Sequence, residues 1–402
     1  MAKRVVVTGM GVISPAGCTL DKFWKNIVKG KNCIDDITYF DTSDYSIKKA
    51  AQVLNFNPNK YPEISKYIHK MDPFQRYGVI AALDAKKDAK LEDNYNPERT
   101  GVIVGSGSGG SSSMIKQIKL LLEKGPSKLR PSAILKSMAD MVASHISMHV
   151  GAKGCAFSVG GACATGALNI GEAFRKIKDD YLDICYCGGS DATIDEFNIS
   201  GFQNMNALSE KGESRPFDSE RDGFVMGEGA GILVLENLES AEKRNVKIYA
   251  EIVGYGTSDD ANHATKPDPK GKGIEKCMVD AMNEAGVSKE KIDYINAHGT
   301  ATTLNDEIEA KIIEKIFGKN VCVGSTKSMI GHTMGAAGAI ESIVAILAIK
   351  NSIIPPTTNL KNPENKNINY VLKKTNKGID YDLNISMGFG GKNASLVFKK
   401  YV

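Results

Sequence analysis

The strongest candidate for a nucleophile is one cysteine in a turn of small residues. Cys163 stands in the segment Gly-Gly-Ala-Cys-Ala-Thr-Gly at positions 160–166. Residues 154–159 have the pattern of a short buried strand, and residues 164–177 have helical spacing. Free N–H groups and the helix dipole favour an anion at a helix N-terminus, so we expect the pKa of this thiol to be lowered toward the thiolate. A small buried cysteine packed in a Gly-Ala turn is the alternative that the segment alone leaves open.

Two histidines lie in similar turns of small residues. His298 is in Asn-Ala-His-Gly-Thr-Ala-Thr (296–302), between a predicted strand at 292–295 and a predicted helix at 305–316. His332 follows a predicted strand at 321–324 and precedes a predicted helix at 336–350. Chemistry in α/β proteins concentrates at such strand ends. Cysteine and histidine that are distant in sequence and adjacent in the fold are typical of a cysteine nucleophile, although each histidine alone also fits a structural role.

Further segments stand in a specific order along nearly the whole chain. They are Arg-Val-Val-Val-Thr-Gly-Met-Gly-Val-Ile-Ser-Pro at 4–15, Arg-Pro-Phe-Asp at 215–218, Arg-Asp-Gly-Phe-Val-Met-Gly-Glu-Gly-Ala-Gly at 221–231 and Gly-Phe-Gly-Gly at 388–391. With the cysteine and histidine turns, this set resembles the β-ketoacyl-acyl carrier protein synthases, most closely the elongating synthase II type. A single Gly-x-Gly pattern is weak evidence, whereas the ordered set is specific.

The resemblance implies an α/β protein with a thiolase-like fold, in which duplicated α/β halves form a five-layer αβαβα sandwich. The order of predicted elements agrees with a duplication: the strand and Gly turn at 4–13 recur at 248–257, and the Cys163 unit has a counterpart in the His332 unit. We predict an N-terminal half at 1–245, with cap insertions at 107–150 and 195–225, and a C-terminal half at 246–402. An ordinary doubly wound sheet would leave the repeat unexplained.

The resemblance also implies a decarboxylative Claisen condensation in fatty acid chain elongation. Cys163 would take an acyl group from the phosphopantetheine of acyl carrier protein. Malonyl-acyl carrier protein would then lose CO2, and its carbanion would attack the acyl group to give β-ketoacyl-acyl carrier protein. Since negative charge develops on the malonyl thioester oxygen, two N–H donors from His298 and His332 suit the chemistry better than one base. The backbone N–H groups of Cys163 and Phe389 would form the oxyanion hole.

Further site residues follow from the same resemblance. An inward-facing Lys327 would pair with Glu341 and position His332, because a buried charge needs a partner. Phe389 resembles a gate that closes the acyl pocket, and its flanking glycines permit that movement. Thr300 and Thr302 resemble hydroxyls that bind the pantetheine amides, although turn stabilisation is their ordinary role. The predicted substrate-binding residues are Thr300, Thr302, Ser108, Phe202 and Glu341.

Four positions depart from the usual synthase II pattern. Gly161 stands where Thr is general, Asp140 replaces a common Asn, and Lys392 replaces a common Thr or His. Ser108 stands where an apolar residue often lines the acyl pocket, and its hydroxyl would widen the tunnel or accept a more polar chain. These departures leave the preferred acyl chain open.

Acyl carrier proteins are acidic, so we expect a basic rim near the tunnel mouth. Lys66 and Lys70, near Arg76, form one basic cluster, and Lys128 with Arg130 forms another. A solvated surface also explains such clusters. Homodimerisation is expected from the family, since residues 131–150 resemble the part that reaches a neighbour's acyl tunnel.

Composition excludes several other functions. Lys plus Arg total 51 against 47 for Asp plus Glu, which gives no global support for nucleic-acid binding. The eight cysteines lack zinc-ligand spacing, and we expect neither a metal nor another cofactor. Gly9 and Gly11 interrupt the first apolar run, which favours a strand over a signal peptide. The apolar run at 343–349 is too short to span a bilayer, so the expectation is a cytoplasmic enzyme with no membrane partner.

Two other functions remain open. One is a ketosynthase of a type II polyketide or polyene pathway, which the four departures allow. The other is a non-catalytic partner resembling a chain-length factor, against which the intact Cys163 argues. The sequence leaves the acyl chain length and the identity of the carrier undetermined.

Overall fold

The structure is a computed structural model that describes residues 2–54, 56–92 and 95–402. Its strands, numbered in chain order, are β1 Val5–Ile13, β2 Asp35–Asp36, β3 Lys49–Ala50, β4 Thr100–Gly105, β5 Ala156–Phe157, β6 Ile184–Asp191, β7 Gly229–Asn237, β8 Ala250–Asp259, β9 Tyr294–Asn296, β10 Cys322–Gly324, β11 Ile353–Ile354, β12 Asn369–Tyr370, β13 Thr375–Asn376, β14 Tyr381–Gly388 and β15 Lys392–Lys399. Its α-helices are α1 Leu20–Val28, α2 Pro73–Asp88, α3 Ser111–Lys124, α4 Ala133–Ser137, α5 Met141–Val150, α6 Thr165–Lys178, α7 Glu196–Asn204, α8 Leu238–Lys243, α9 Lys272–Ala285, α10 Thr303–Phe317, α11 Lys327–Ile330 and α12 Ala337–Asn351.

The main sheet contains the same strand order twice. Its full order is β12-β10-β9-β14-β15-β8-β1-β7-β6-β4-β5. From β1 outward, the first segment reads β1-β7-β6-β4-β5, with two antiparallel pairings followed by two parallel ones. From β8 outward, the second segment reads β8-β15-β14-β9-β10, with the same sequence of pairings. This repeat confirms the duplicated architecture, while the exact division at 245 stays a prediction.

The two sheet segments enclose a central pair of helices. Alternate residues of a strand face opposite sides of its sheet. In β6, Cys185 and Cys187 face a core that includes α6 and α12, whereas Ile184 and Tyr186 face a core that includes α2 and α5. A third core joins the second segment to α9 and α10. The predicted five-layer αβαβα sandwich is therefore confirmed.

Small residues allow the two central helices to approach closely at their N-terminal ends. A Cβ on Gly166 would lie 2.9 Å from the carbonyl oxygen of Gly335, and one on Gly338 would lie 2.8 Å from the Cβ of Ala167. Such distances are too short for a side chain. Because α6 follows the turn that carries Cys163 and α12 follows the turn after His332, this approach brings the two turns together.

Helix α12 is buried along nearly its whole length, from Ala337 to Ile349. The window Met334–Asn351 has the length and composition of a membrane span, so the prediction from residues 343–349 underestimated its length. However, 89% of that window is buried inside the protein. A helix that is apolar on all sides is stable in the interior of a large core, and the central layer supplies that environment.

Candidate active site

One cavity of 290 Å³ contains the cysteine and both predicted histidines. Cys163 lies in the 3₁₀ turn Ala162–Ala164 before α6, and His298 lies two residues beyond β9. His332 lies in the turn between α11 and α12. The sequence-distant motifs thus meet at the ends of the two central helices, with Phe389 on the same cavity wall.

The thiol of Cys163 is buried in the cavity wall. Burial raises its pKa to about 12, while the charge of Lys327 and the backbone N–H groups of Phe389 and Cys163 act in the opposite direction. The expected lowering of this pKa is therefore wrong: desolvation of the thiolate outweighs the favourable groups around it. These two N–H groups nevertheless point toward the sulfur atom of Cys163.

Both imidazoles are neutral. Their ring centroids are 5.4 Å apart and the rings are nearly perpendicular, at 86°. Burial lowers the pKa of His298 and of His332 well below the ordinary histidine value, and the nearby charge of Lys327 lowers both further. A neutral imidazole offers one N–H donor and one acceptor nitrogen, so its tautomer decides what it presents to the cavity.

Lys327 determines the tautomer of His298. Its ammonium forms a buried ion pair with Glu341, donates to the carbonyl oxygen of His298 at 2.6 Å, and lies 3.4 Å from the Nδ1 atom of the same residue. An ammonium cannot accept a hydrogen bond, so Nδ1 must be the acceptor. This contact favours the tautomer of neutral His298 that carries its proton on Nε2. Lys327 thus contacts His298 directly, whereas the sequence prediction assigned it to His332.

Two buried carboxylates of α10 hold the His298 turn, and the sequence analysis missed both. Glu309 accepts from the N–H groups of His298 and Gly299 at 2.6 and 2.8 Å. Asp306 accepts from the N–H groups of Thr300 and Ala301 at 3.0 and 3.1 Å. Burial raises the pKa of Glu309 to about 8 despite these donors. In the sequence, Asp306 and Glu309 lie on the same helical stripe as Ile313 and Ile316, and this spacing indicated that both carboxylates face inward.

Asp191, at the end of β6, is a third carboxylate that the sequence analysis did not identify. It accepts from the Ser106 hydroxyl, from the Gly107 N–H at 2.9 Å and from the Gly335 N–H at 2.6 Å. It therefore joins the loop after β4 to the turn before α12. Burial raises its pKa to about 6, and its charge contributes to the raised pKa of Cys163.

The cavity wall includes the predicted threonines and aromatic residues. Thr300 and Thr302 line it, and their hydroxyls are 2.9 Å apart. Phe202 and Phe389 also line it, with ring centroids 6.1 Å apart. Phe202 stacks edge-on to Phe224, which in turn contacts the ring of His332. Aromatic side chains thus connect the entrance to the reacting groups.

The loop that carries Phe389 is bonded to a second loop at the cavity mouth. The N–H of Gly390 donates to the carbonyl oxygen of Ala264 at 2.8 Å, and the N–H of Asp260 donates to the carbonyl oxygen of Gly391 at 2.9 Å. The Asn393 amide donates to Asp260 at 2.8 Å. Gly390 and Gly391 have φ values of 84° and 78°, which other residues rarely adopt.

Several predicted residues lie outside this cavity. Ser108 is exposed and does not line the cavity of the single chain, so the expectation that it borders the acyl pocket is not met there. The predicted carrier-docking residues are all exposed: Lys66, Lys70, Lys128 and Arg130. Arg76 is half-buried and donates to the Met71 carbonyl oxygen, which makes it a structural rather than a surface residue.

The structure shows what surrounds the three other residues that depart from the synthase II pattern. A Cβ at Gly161 would lie 2.2 Å from a methyl group of Leu168, so glycine makes room for that leucine. Asp140 precedes α5 but its side chain does not cap the helix. Lys392 stands opposite Asp259 in the β15–β8 pairing. Across residues 2–54, 56–92 and 95–402, no group of three or more His, Cys, Asp or Glu side chains could hold a metal ion.

Comparisons with known proteins agree with this geometry. The sequence model of the β-ketoacyl synthase N-terminal domain matches residues 2–241, and that of the C-terminal domain matches residues 249–361. The 3-oxoacyl-[acyl-carrier-protein] synthase 2 of Staphylococcus aureus (strain COL) is 44% identical over 409 residues, with 99% of each chain covered.

Solved structures also match over the full length of both chains. The ishigamide ketosynthase/chain length factor is 34% identical with a TM-score of 0.94. A type II polyketide ketosynthase, solved in complex with its acyl carrier protein, is 28% identical with a TM-score of 0.91. With two domain models matched in order and a relative covered end to end, the chain belongs to the β-ketoacyl synthase family.

Proposed function

We propose that this chain is a β-ketoacyl-acyl carrier protein synthase that elongates fatty acyl chains. The observation that carries the proposal is the convergence of one thiol and two neutral imidazoles in a single cavity. The full-length relative named 3-oxoacyl-[acyl-carrier-protein] synthase 2 supports the fatty acid substrate. No cofactor takes part, and the acyl groups arrive on the phosphopantetheine of acyl carrier protein.

The first stage is an exchange of thiols. Cys163 attacks the acyl thioester, its S–H proton goes to the departing carrier thiolate, and the acyl group stays on Cys163. Cys163 loses one proton and the departing carrier thiolate takes up one. A thiol with a pKa of about 12 therefore needs only transient deprotonation during the attack. The N–H groups of Cys163 and Phe389 stabilise the oxyanion of the tetrahedral intermediate.

The second stage uses the histidines as hydrogen-bond donors. The malonyl carboxylate leaves as CO2, and its electron pair moves onto the thioester as an enolate. The Nε2–H of His298, fixed by Lys327, donates to the enolate oxygen, and His332 supplies the second donor. The enolate carbon then attacks acyl-Cys163, and the released cysteine thiolate takes up a proton to restore the thiol.

One experiment measures the two stages of the reaction separately. Purified protein receives acyl-carrier and malonyl-carrier, and mass spectrometry follows acyl-Cys163, β-ketoacyl-carrier and acetyl-carrier. The wild type yields acylated enzyme and β-ketoacyl product. Cys163→Ala yields neither but retains slow conversion of malonyl-carrier to acetyl-carrier, because the histidines remain. His298→Ala retains acylation and loses decarboxylation. Failure of the wild type to acylate Cys163 with any primer would favour a non-catalytic chain-length partner.

A polyketide or polyene ketosynthase is the second candidate. The match to the ishigamide ketosynthase/chain length factor at a TM-score of 0.94 favours it, although the identity, 34%, is lower than that of the fatty acid relative. The same assay separates the two functions. A fatty acid enzyme extends a saturated primer once in each incubation, whereas a polyketide enzyme adds several units without intervening reduction. A polyene enzyme would prefer an unsaturated primer.

We infer that the protein works in the cytoplasm as a homodimer and binds its carrier at the exposed Lys66, Lys70, Lys128 and Arg130. One observation supports the dimer: large apolar side chains are exposed on and beside α3 and α4. These are Met114, Ile118, Leu121, Leu122, Ile134, Leu135 and Met138. A dimer that covers this surface would also enclose Ser108. Light scattering measures the molecular mass of the wild type and of Leu122→Asp in solution and so tests whether this surface forms the dimer. A monomeric wild type would contradict the proposed dimer.

A further inference from the structure

A second cavity lies at the opposite end of α12 from the reacting groups. It has a volume of 610 Å³ and is lined by Leu347, Lys350 and Asn351 from the last turn of α12. His332 precedes the first turn of the same helix. A helix of 15 residues is about 22 Å long, so this cavity is separate from the active site.

Two exposed lysines at the edge of this cavity lie over one aromatic ring. The ammonium groups of Lys247 and Lys350 lie 3.6 and 4.7 Å from the ring centroid of Tyr249. Within the described part of the chain, neither ammonium has an ion-pair partner. Burial and the neighbouring charge of Lys350 lower the pKa of Lys247 to about 8, against the opposing charges of Asp88 and Asp21. Two adjacent lysine side chains over one ring can donate together to an anion placed between them.

Three aspartates also line the cavity, and two of them accept hydrogen bonds from neighbouring neutral groups. Asp88 accepts from the Tyr249 hydroxyl at 2.8 Å and from the Met10 N–H at 3.0 Å. Both oxygens of Asp84 lie 3.0 Å from the Tyr61 hydroxyl. Asp21, exposed in the first turn of α1, is the remaining acidic residue on the wall. Four lysines line the same cavity, Lys87, Lys90, Lys247 and Lys350, so basic residues outnumber the three aspartates by one.

The rest of the wall suits an organic ligand rather than a bare ion. Trp24, Leu20 and Leu347 give it an apolar side, and Trp24 is half-buried with one part facing the cavity. Cavities of about 300–1,000 Å³ hold small molecules. We propose that this cavity binds a phosphorylated small molecule of nucleotide size, with its phosphate between Lys247 and Lys350 and its ring against Trp24.

Trp24 is the only tryptophan of the chain, so its fluorescence reports on this cavity alone. The full-length protein is titrated with ADP and, separately, with inorganic phosphate, and isothermal titration calorimetry measures the same affinities. We expect a saturable change of Trp24 fluorescence with ADP and binding at least about tenfold weaker for phosphate. Lys247→Gln combined with Lys350→Gln should raise the Kd for ADP at least about tenfold, or 1.4 kcal/mol.

Two controls keep the test specific. Lys243→Gln removes an exposed lysine of α8 outside the cavity and should leave the Kd for ADP unchanged. Cys163→Ala, which removes the proposed nucleophile, should bind ADP as the wild type does. Absence of saturable ADP binding, an unchanged Kd in the double variant, or equal affinity for phosphate and ADP would each overturn the proposal. Thermal unfolding of the double variant verifies that it is folded.

Discussion

Replacement of Lys327 by methionine should affect stability and decarboxylation through two separate contacts. The substitution leaves the Glu341 carboxyl, which is 1% exposed, without its cation. Removing one partner of a buried ion pair costs about 3–5 kcal/mol of unfolding free energy. The substitution also removes the donor to His298 Nδ1. Loss of one oriented donor at a developing oxyanion costs about 10²–10³ in rate, and we expect a decarboxylation loss near the lower value.

The stability loss in Lys327→Met should depend on pH in a defined direction. Burial already raises the pKa of Glu341, and removal of the lysine charge raises it further. The folded state then binds this proton more tightly than the unfolded state, where the pKa of Glu is about 4.3. The wild-type folded state already holds the same proton up to its own pKa of about 7, so the added pH dependence of the variant begins near that pH. Above it, the loss relative to the wild type grows by up to about 1.4 kcal/mol per pH unit as the pH rises toward the higher folded pKa of the variant.

Lys327→Met combined with Glu341→Gln separates the two effects. Because no buried carboxylate is left to ionise, we expect urea unfolding to regain most of the lost free energy and to lose its added pH dependence. Mass spectrometry should still detect acylated Cys163 and a decarboxylation rate as low as in the single variant. Restoration of decarboxylation together with stability would refute the tautomer argument and leave Lys327 with a purely structural role.

Three other perturbations have equally direct outcomes. In Gly388→Ala the new Cβ would lie 2.4 Å from the Gly161 carbonyl oxygen, so the backbone must shift at a cost of about 1–3 kcal/mol and the rate of Cys163 acylation should fall. In the control Gly160→Ala the new Cβ meets open space, so acylation should proceed at the normal rate. Equal acylation rates in the two variants would contradict this prediction. With a pKa of about 12, alkylation of Cys163 by iodoacetamide should rise about tenfold per pH unit between about pH 7 and 9, whereas a flat profile would mean a thiolate at neutral pH. Charge reversal at Lys128 and Arg130 should raise the KM for acidic carrier about tenfold and spare a carrier-free acyl thioester; an unchanged KM would remove this surface from docking.

The sequence predicted the elements that carry the reacting groups because their signals are local. The helix predicted at 164–177 is observed at Thr165–Lys178, and the helix predicted at 336–350 is observed at Ala337–Asn351. Their apolar spacing and preceding glycines lie within one segment. The strand predicted at 154–159 is shorter, Ala156–Phe157, because β5 pairs only with β4 at the edge of the sheet.

The electrostatics of the site could not be obtained from local signals. The thiolate prediction for Cys163 considered only its own helix, whereas the surrounding chain buries the thiol so completely that desolvation dominates. Asp191 accepts a hydrogen bond from the N–H of Gly335, which is far away in the sequence. Glu309 accepts one from the N–H of His298, in the turn before its own helix. Their roles depend on which N–H groups lack partners after folding, and that is a property of the three-dimensional arrangement.

The protonation states of the site fit a reaction that begins and ends with the same charges. In the proposed reaction, Cys163 starts as a thiol and is restored as a thiol, and the two imidazoles act as neutral donors throughout. The malonyl carboxylate brings in one negative charge, which passes to the enolate when CO2 leaves. A histidinium pair would hold the carboxylate in an ion pair and stabilise the ground state as well as the transition state, which gives no acceleration. Neutral N–H donors aimed at the thioester oxygen strengthen only as its charge develops, so the burial that lowers both histidine pKa values favours decarboxylation.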